Sequence, residues 1–187
     1  MPSRRAVIVL ADGFEEIEAI VPADVLKRLG CQVILAGLNA TSVTGAHGFR
    51  FAADTLLKDA DAGDADVLIL PGGMPGAAHL RDDSALAGIL RARNAAGKLC
   101  AAICAAPAVL EHAGIVSGRT VTGYPGCERL SGSAGLRFTG RTVEHDGNLI
   151  TGKGPGAAFG FAAEIAGALG FSSRERAELF AGMFVNA

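Results

Sequence analysis

This chain of 187 residues is short of charge, cysteine and histidine, and each shortage narrows what it can do. Charged residues are 19% of the total, scattered in sign, with a net charge of −2. That leaves no basic field to draw in a nucleic acid, so none is expected as a partner. The apolar run that follows Arg5 breaks at Asp12, too early for a membrane span or a secretory leader. A cytoplasmic protein with no membrane partner is therefore expected. The four cysteines, at 31, 100, 104 and 127, have neither the paired spacing of a metal site nor the density of a disulfide scaffold. The four histidines, His47, His79, His112 and His145, are equally dispersed. Each reads as a surface or capping residue, and no metal is expected. There is no repeat, low-complexity tract or linker. The glycine-rich Gly152-Lys153-Gly154-Pro155-Gly156 lacks P-loop spacing, so it reads as a turn that opens a helix, and no cofactor is implied.

What the chain has in quantity is apolar side chain, 50% of its residues, enough for one sizeable core and a single domain over residues 1–187. Ala6–Leu10, Val33–Ala36, Val67–Leu70 and Leu99–Ile103 are continuous apolar runs, the pattern of strands covered on both faces. Between them, Glu16–Leu29 repeats apolar residues at helical spacing (Ile17, Ile20, Val21, Val25, Leu29), and Ser84–Ala96 opens on a serine that can cap a helix. This is a βαβ rhythm, and it predicts an α/β fold with a mostly parallel central sheet. Thr142–His145 and Leu149–Thr151 flank Asp146-Gly147, a hairpin signal. Pro155–Leu169 and a segment from Arg174 to Phe184, capped by Ser172-Ser173, read as terminal helices.

In a sheet of this kind ligands bind beyond the carboxyl ends of the strands, so the residues just after each strand are the ones to read. The fourth run stops at Cys104, immediately before the helix-opening Ala106-Pro107. A cysteine at a strand-to-helix turn aims its sulfur above the sheet, and the first free amides of the helix favour its thiolate. Cys104 is thus a candidate nucleophile, the alternative being one more small core residue. Cys100, four residues earlier in the strand, reads as core. Gly72-Gly73 can bring bare backbone to a ligand and, with the amide of Ala105, form an oxyanion hole; it can equally be a tight turn. Glu15, Glu16 and Glu18 begin the first helix, where acids are stabilised without any catalytic role. Glu18 lies further in, between Ile17 and Ile20. If buried near a thiolate it would hold a proton more readily than in water and could serve as the acid/base group, the alternative being a solvated helix-face acid.

Together, Glu15-Glu16-Ile17-Glu18, Leu70-Pro71-Gly72-Gly73, Ala101-Ala102-Ile103-Cys104-Ala105-Ala106-Pro107 and Gly154-Pro155-Gly156 resemble, in order and spacing, the ThiJ/PfpI superfamily. The likeness is strongest to the branch of the parkinsonism-associated protein deglycase and its short bacterial relatives. The resemblance implies a flavodoxin-like three-layer sandwich with helices on both faces of the sheet. It implies a nucleophile-elbow cysteine at Cys104, a protonated glutamate at Glu18, and amides at Gly73 and Ala105. It also implies a homodimer, with Arg28 and the region of His47 near the seam. Two departures stand out. Cys104 is followed by Ala105 rather than the histidine of the protease-like branches, so no adjacent Cys-His dyad exists. Tyr124 stands where this branch has a histidine before the proline, and a tyrosine with a pKa near 10 is a poor proton shuttle at neutral pH. Tyr124 would then orient substrate.

The activity implied is that of a cofactor-free cysteine enzyme on reactive 2-oxoaldehydes, resembling glyoxalase III or a protein deglycase and turning methylglyoxal into lactate. Its partners would be small aldehydes or glycated adducts. The alternative is a redox-sensing stress-response chaperone with an oxidisable Cys104 and little turnover. Cys127, just after Tyr124, is a candidate resolving or dimer-linking thiol.

Overall fold

The computed structural model describes residues 4–126 and 137–185. Its centre is a seven-stranded sheet built from β1 (Arg5–Leu10), β2 (Gln32–Gly37), β5 (Thr55–Leu56), β6 (Val67–Leu70), β7 (Leu99–Ile103), β10 (Val143–Asp146) and β11 (Leu149–Gly152). The spatial order is β10-β11-β7-β6-β1-β2-β5. All neighbours are parallel except β10, which runs antiparallel to β11 at one edge. Strand residues point alternately to opposite faces, and here both faces are covered. Val7, Val9, Leu68, Leu70, Cys100 and Ala102 pack under α2 (Gly76–Asp82), α3 (Ser84–Ala95) and α4 (Pro107–His112). Ala6, Ile8, Leu10, Val67, Ile69, Ala101 and Ile103 pack under α1 (Glu16–Arg28) and α5 (Ala158–Ala168). A last helix, α6 (Ser173–Gly182), lies against α1 and α5 through Phe180, Val25 and Ala162. This is the mostly parallel α/β sheet that the apolar runs predicted, in the three-layer sandwich that the resemblance implied.

Where sequence and structure differ, a local hydrogen bond decides. Helix α3 is capped by Asp83, whose carboxylate accepts the Leu86 N–H at 2.8 Å, and Ser84 is already helical. In the β10–β11 hairpin Asp146 pairs with Leu149, so the two turn residues are Gly147 and Asn148 rather than Asp146 and Gly147. Glycine is still needed, since Gly147 has φ +61°. Pro155–Ala157 forms a 3-10 turn before α5 begins at Ala158. The expected cap of α6 is present: Ser172 and Glu175 form a reciprocal capping box. Two small additions had no periodicity to announce them, a hairpin of β3 (Ser42–Thr44) with β4 (Arg50–Ala52) and the parallel pair β8 (Thr120–Val121) with β9 (Arg137–Phe138).

Sequence-adjacent strands β1 and β2 lie side by side, and the chain then crosses to the other side of β1 to lay down β6. Beyond this switch point the loops after β1 and β6 are stitched together, the Glu15 N–H donating to the Gly72 carbonyl at 2.9 Å. A buried arginine holds the opposite end of the sheet. Arg93, 1% exposed, donates to the carbonyls of Ala62 and Ala65 at 2.8 Å and of Leu99 at 2.6 Å, fixing the turn before β6 to the start of β7. Each buried carbonyl left unpaired costs about 1–3 kcal/mol. Arg93→Leu is therefore expected to lower the unfolding free energy by about 3 kcal/mol or more in a urea titration, whereas an unchanged midpoint would show that these carbonyls find other donors.

Candidate active site

β7 ends by delivering Cys104 into a backbone conformation that L-residues seldom adopt, φ +64°. Such a residue costs on the order of 1–3 kcal/mol and persists only where its surroundings over-determine it. Here they do. Its N–H donates to the Gly152 carbonyl at 2.9 Å, its carbonyl accepts the Tyr124 N–H at 2.7 Å, and the next turn closes as the Ala106 N–H donates to the Ile103 carbonyl. Pro107 then starts α4 with a fixed φ and no N–H to waste. This is the strained strand-to-helix elbow that presents a nucleophile at the head of an α/β sheet.

Glu18 comes to the same point from α1. The helix sets it on the sheet side, fully buried, while Ile17 beside it is half exposed, the reverse of what the two side chains would choose on hydropathy. One carboxyl oxygen accepts the Gly72 N–H at 2.8 Å, and the carboxyl is also hydrogen-bonded to Cys104. Gly72 is where the three groups converge. A Cβ there would lie 2.7 Å from the Cys104 Cβ, 2.8 Å from the Glu18 carboxyl and 2.9 Å from the Ala105 nitrogen. Gly73 follows at φ +85°, so the pair is both a tight turn and a close approach of bare backbone. The Gly73 and Ala105 amides are hydrogen-bonded to the Cys104 side chain.

Burial dominates the electrostatics. Desolvation pushes Glu18 up from its ordinary 4.5 to about 7, aided by the charge of Glu15 and opposed by the bonds from Cys104 and Gly72. Desolvation, with the charge and hydrogen bond of Glu18, pushes the Cys104 thiol up to about 12, against the Gly73 and Ala105 amides. The thiol favoured as thiolate that helix amides alone predicted is thus corrected: the amides act in the expected direction, and burial beside an acid outweighs them. The two groups titrate as one system. Near neutrality the pair gives up one proton and keeps the other, so a carboxylic acid beside a thiolate and a carboxylate beside a thiol are two arrangements of one monoanion.

The remaining expected residues are placed as follows. Gly72 is not free to hold an oxyanion, because its N–H is committed to Glu18; Gly73 and Ala105 are the amides that face the sulfur. Tyr124 is about half exposed and lines a shallow apolar cleft with Pro125, Pro155 and Ala157, and its loop is held by Thr122, which donates to the Arg141 carbonyl at 2.6 Å. Cys100 is core. Arg28 pairs with Asp24 on the exposed face of α1. His79 meets the Asp12 carbonyl, and His145 sits between Glu164 and the Gly147 carbonyl. His47 is not a stray surface residue: it is hydrogen-bonded to Glu16, which is itself buried rather than solvated. Cys127 lies outside the described residues.

Residues 4–168 match the profile of the DJ-1/PfpI family. The chain belongs to that family. Protein dj-1beta of Drosophila melanogaster is 41% identical over 165 residues, 88% of each chain. Its crystal structure superimposes with a TM-score of 0.92, covering 99% of this chain and 100% of that one at 39% identity. A glutathione-independent glyoxalase of Caenorhabditis elegans is 36% identical over 167 residues, 88% of this chain and 89% of that one. A deglycase of Pyrococcus abyssi is 32% identical over 161 residues, 86% and 96%. The superposition confirms the flavodoxin-like architecture of this DJ-1/PfpI chain over its length.

The proton on Glu18 has a consequence for stability. Because its folded pKa lies above the unfolded one, the stability it contributes is complete below about 4.5 and is lost as pH rises to about 7. The span corresponds to something on the order of 3 kcal/mol. Glu18→Gln, which keeps an acceptor for Gly72 and a donor for sulfur but cannot ionise, is expected to be more stable than wild type at pH 8, with the gap closing toward pH 4.5. Urea denaturation at the two pH values checks this; a gap independent of pH would mean that Glu18 is not held as a neutral acid.

Proposed function

We propose that this protein is a cofactor-free cysteine enzyme that converts reactive 2-oxoaldehydes to 2-hydroxy acids, methylglyoxal to lactate, without glutathione. The observation that carries the reading is the buried Glu18 carboxyl bonded to Cys104, with the Gly73 and Ala105 amides on the same sulfur. Relatives named as a glutathione-independent glyoxalase and a deglycase support it.

The chemistry follows from those four groups. In the monoanion with its charge on sulfur, the thiolate adds to the aldehyde carbon and forms a C–S bond. The carbonyl electrons move to oxygen, where the Gly73 and Ala105 amides stabilise the charge. Glu18 gives its proton to that alkoxide, leaving a hemithioacetal and a carboxylate. The carboxylate removes the proton from the former aldehyde carbon and passes it to the neighbouring carbonyl oxygen, giving an enediol; it then takes the hydroxyl proton from the sulfur-bearing carbon and delivers it to the neighbouring carbon as the thioester carbonyl forms. Oxidation of one carbon and reduction of the other balance within the substrate, and the product is a thioester of lactate. Water, with Glu18 as base, attacks the thioester; the C–S bond breaks, lactate leaves and the thiolate is regenerated. Burial that leaves Cys104 8% exposed suits a substrate of a few heavy atoms. Tyr124, whose backbone N–H bonds the Cys104 carbonyl, orients the substrate's substituent on this reading; the proton traffic needs only Glu18.

The reading includes a cytoplasmic homodimer. Exposed Ile17 and Phe49 support pairing near the start of α1, and among the described residues no helix is long and apolar enough to cross a membrane. The alternative, a redox sensor with little turnover, uses the same thiolate beside the same protonated Glu18.

Purified protein is expected to form lactate from methylglyoxal without glutathione, with Cys104→Ser at the uncatalysed background. Its kcat/KM should rise with pH through about 7, as the pair loses its first proton. Full turnover by Cys104→Ser, or no lactate from wild type, would overturn the assignment, and the second outcome would favour the redox reading.

A further inference from the structure

The elbow at Cys104 is held from two segments that are distant in the chain, and one buried hydroxyl joins them. The Cys104 N–H is taken by the Gly152 carbonyl at the end of β11, and its carbonyl by the Tyr124 N–H. Tyr124 belongs to a segment outside the main sheet, following β8, whose ladder partner is β9. Two side chains of the β10–β11 hairpin draw that segment in. Asp146 accepts the Thr120 N–H at 2.7 Å, and the Thr151 hydroxyl accepts the Thr122 N–H at 2.9 Å. Since Thr151 adjoins Gly152, the contacts close a ring. It runs from Cys104 to Gly152, along the chain to Thr151, across its hydroxyl to Thr122, along to Tyr124 and back to Cys104. We propose that Thr151, acting through the Thr122 amide, is a positioning residue that sets the elbow of Cys104. This rests on Cys104 as the reacting group of the proposed function, but not on the aldehyde chemistry.

Three observations carry the proposal. First, Thr122 and Thr151 are buried, 0% and 1% exposed. Without the hydroxyl the Thr122 N–H would have no solvent to turn to, and a buried amide lacking an acceptor drives its segment to find another. Second, Gly123 passes against the elbow itself. A Cβ there would lie 2.9 Å from the Cys104 carbonyl oxygen and 3.2 Å from the Pro107 side chain, the close approach of bare backbone that a tightly seated segment requires. Third, the segment is tied at the same residue a second time, as the Thr122 hydroxyl donates to the Arg141 carbonyl, just ahead of β10, at 2.6 Å.

The hydroxyl has leverage because the elbow is strained. Cys104 stays at φ +64° only while its surroundings insist on it, and the Tyr124 bond is one of the two that hold its own peptide groups. Once that bond slackens the backbone can relax, and the sulfur is carried away from the Glu18 carboxyl and from the Gly73 and Ala105 amides that it now meets. Thr151 thus governs the thiol through the backbone, by keeping it where its three partners are.

The test reads Cys104 directly, as the rate of its alkylation by iodoacetamide against pH, assigned by peptide mass mapping. Thr151→Val keeps the branched shape without the hydroxyl, Thr151→Ser keeps the hydroxyl, and Arg93→Leu loosens the opposite end of the sheet. Thr151→Val is expected to move the pH profile of Cys104 from that of wild type toward that of an ordinary thiol, while Thr151→Ser and Arg93→Leu retain the wild-type profile. With methylglyoxal, Thr151→Val should lose kcat, by up to about 100-fold, with KM little changed. A wild-type profile in Thr151→Val, a serine variant that behaves as the valine one does, or the same displacement in Arg93→Leu would each overturn the proposal. Amide hydrogen exchange in the folded wild type serves should Thr151→Val fail to fold: the Thr122 and Tyr124 amides should be protected together, and free exchange of either would refute the ring. Absence of lactate from wild type bears on the aldehyde reading alone, since alkylation needs no turnover.

Discussion

The proton shared by Glu18 and Cys104 is the interaction on which the rest of the site depends. Two acids buried against each other cannot both ionise near neutrality, and the fold supports this by removing both from water and then offering a fixed set of donors. Gly72 bonds the carboxyl, while Gly73 and Ala105 bond the sulfur. The division of amides decides where the remaining proton is useful. With the charge on sulfur, the proposed chemistry has its nucleophile and its acid side by side.

The scaffold pays for this arrangement in strain and in lost side chains. Cys104 sits at φ +64°, held by backbone bonds from Gly152 and Tyr124, which come from segments that sequence separation keeps far from it. Gly72 has no room for a side chain between Glu18 and the elbow, and Gly73 has none against the backbone of Gly13, Phe14 and Glu15. Such costs are small against the burial of a sheet covered on both faces, and they fall where the chemistry needs them.

Much of this was legible in the sequence for identifiable reasons. Continuous apolar runs announced four parallel strands because strands covered on both faces have no polar side to show. Cys104 was legible because it ends such a run just ahead of a helix-starting proline, and Glu18 because it sits within the apolar side of its helix. The failures share one cause, dependence on contacts distant in the chain. That the Gly72 amide is spent on Glu18 depends on an approach across 54 residues. The meeting of His47 with Glu16 spans 31. The upward push on the thiol depends on burial, which outweighs the local amide effect that the motif suggested. The errors at Asp83 and at the Gly147–Asn148 turn are of the other kind, single-residue choices between equally good polar candidates that register and capping geometry settle. Ile17 shows the limit of periodicity, since a helix that buries a glutamate has turned an isoleucine outward.

The central claim is that carboxyl and thiol titrate as one system, and thiolate absorbance in the ultraviolet as a function of pH, with Cys104→Ser as the baseline, tests it most directly. Wild type should gain thiolate in two steps, a partial one near pH 7 as the first proton leaves the pair and the remainder only toward 12. Glu18→Gln should show a single step, since the second titrating group is gone. Superimposable single-step curves for the two proteins would contradict the account, because Cys104 would then ionise without regard to Glu18.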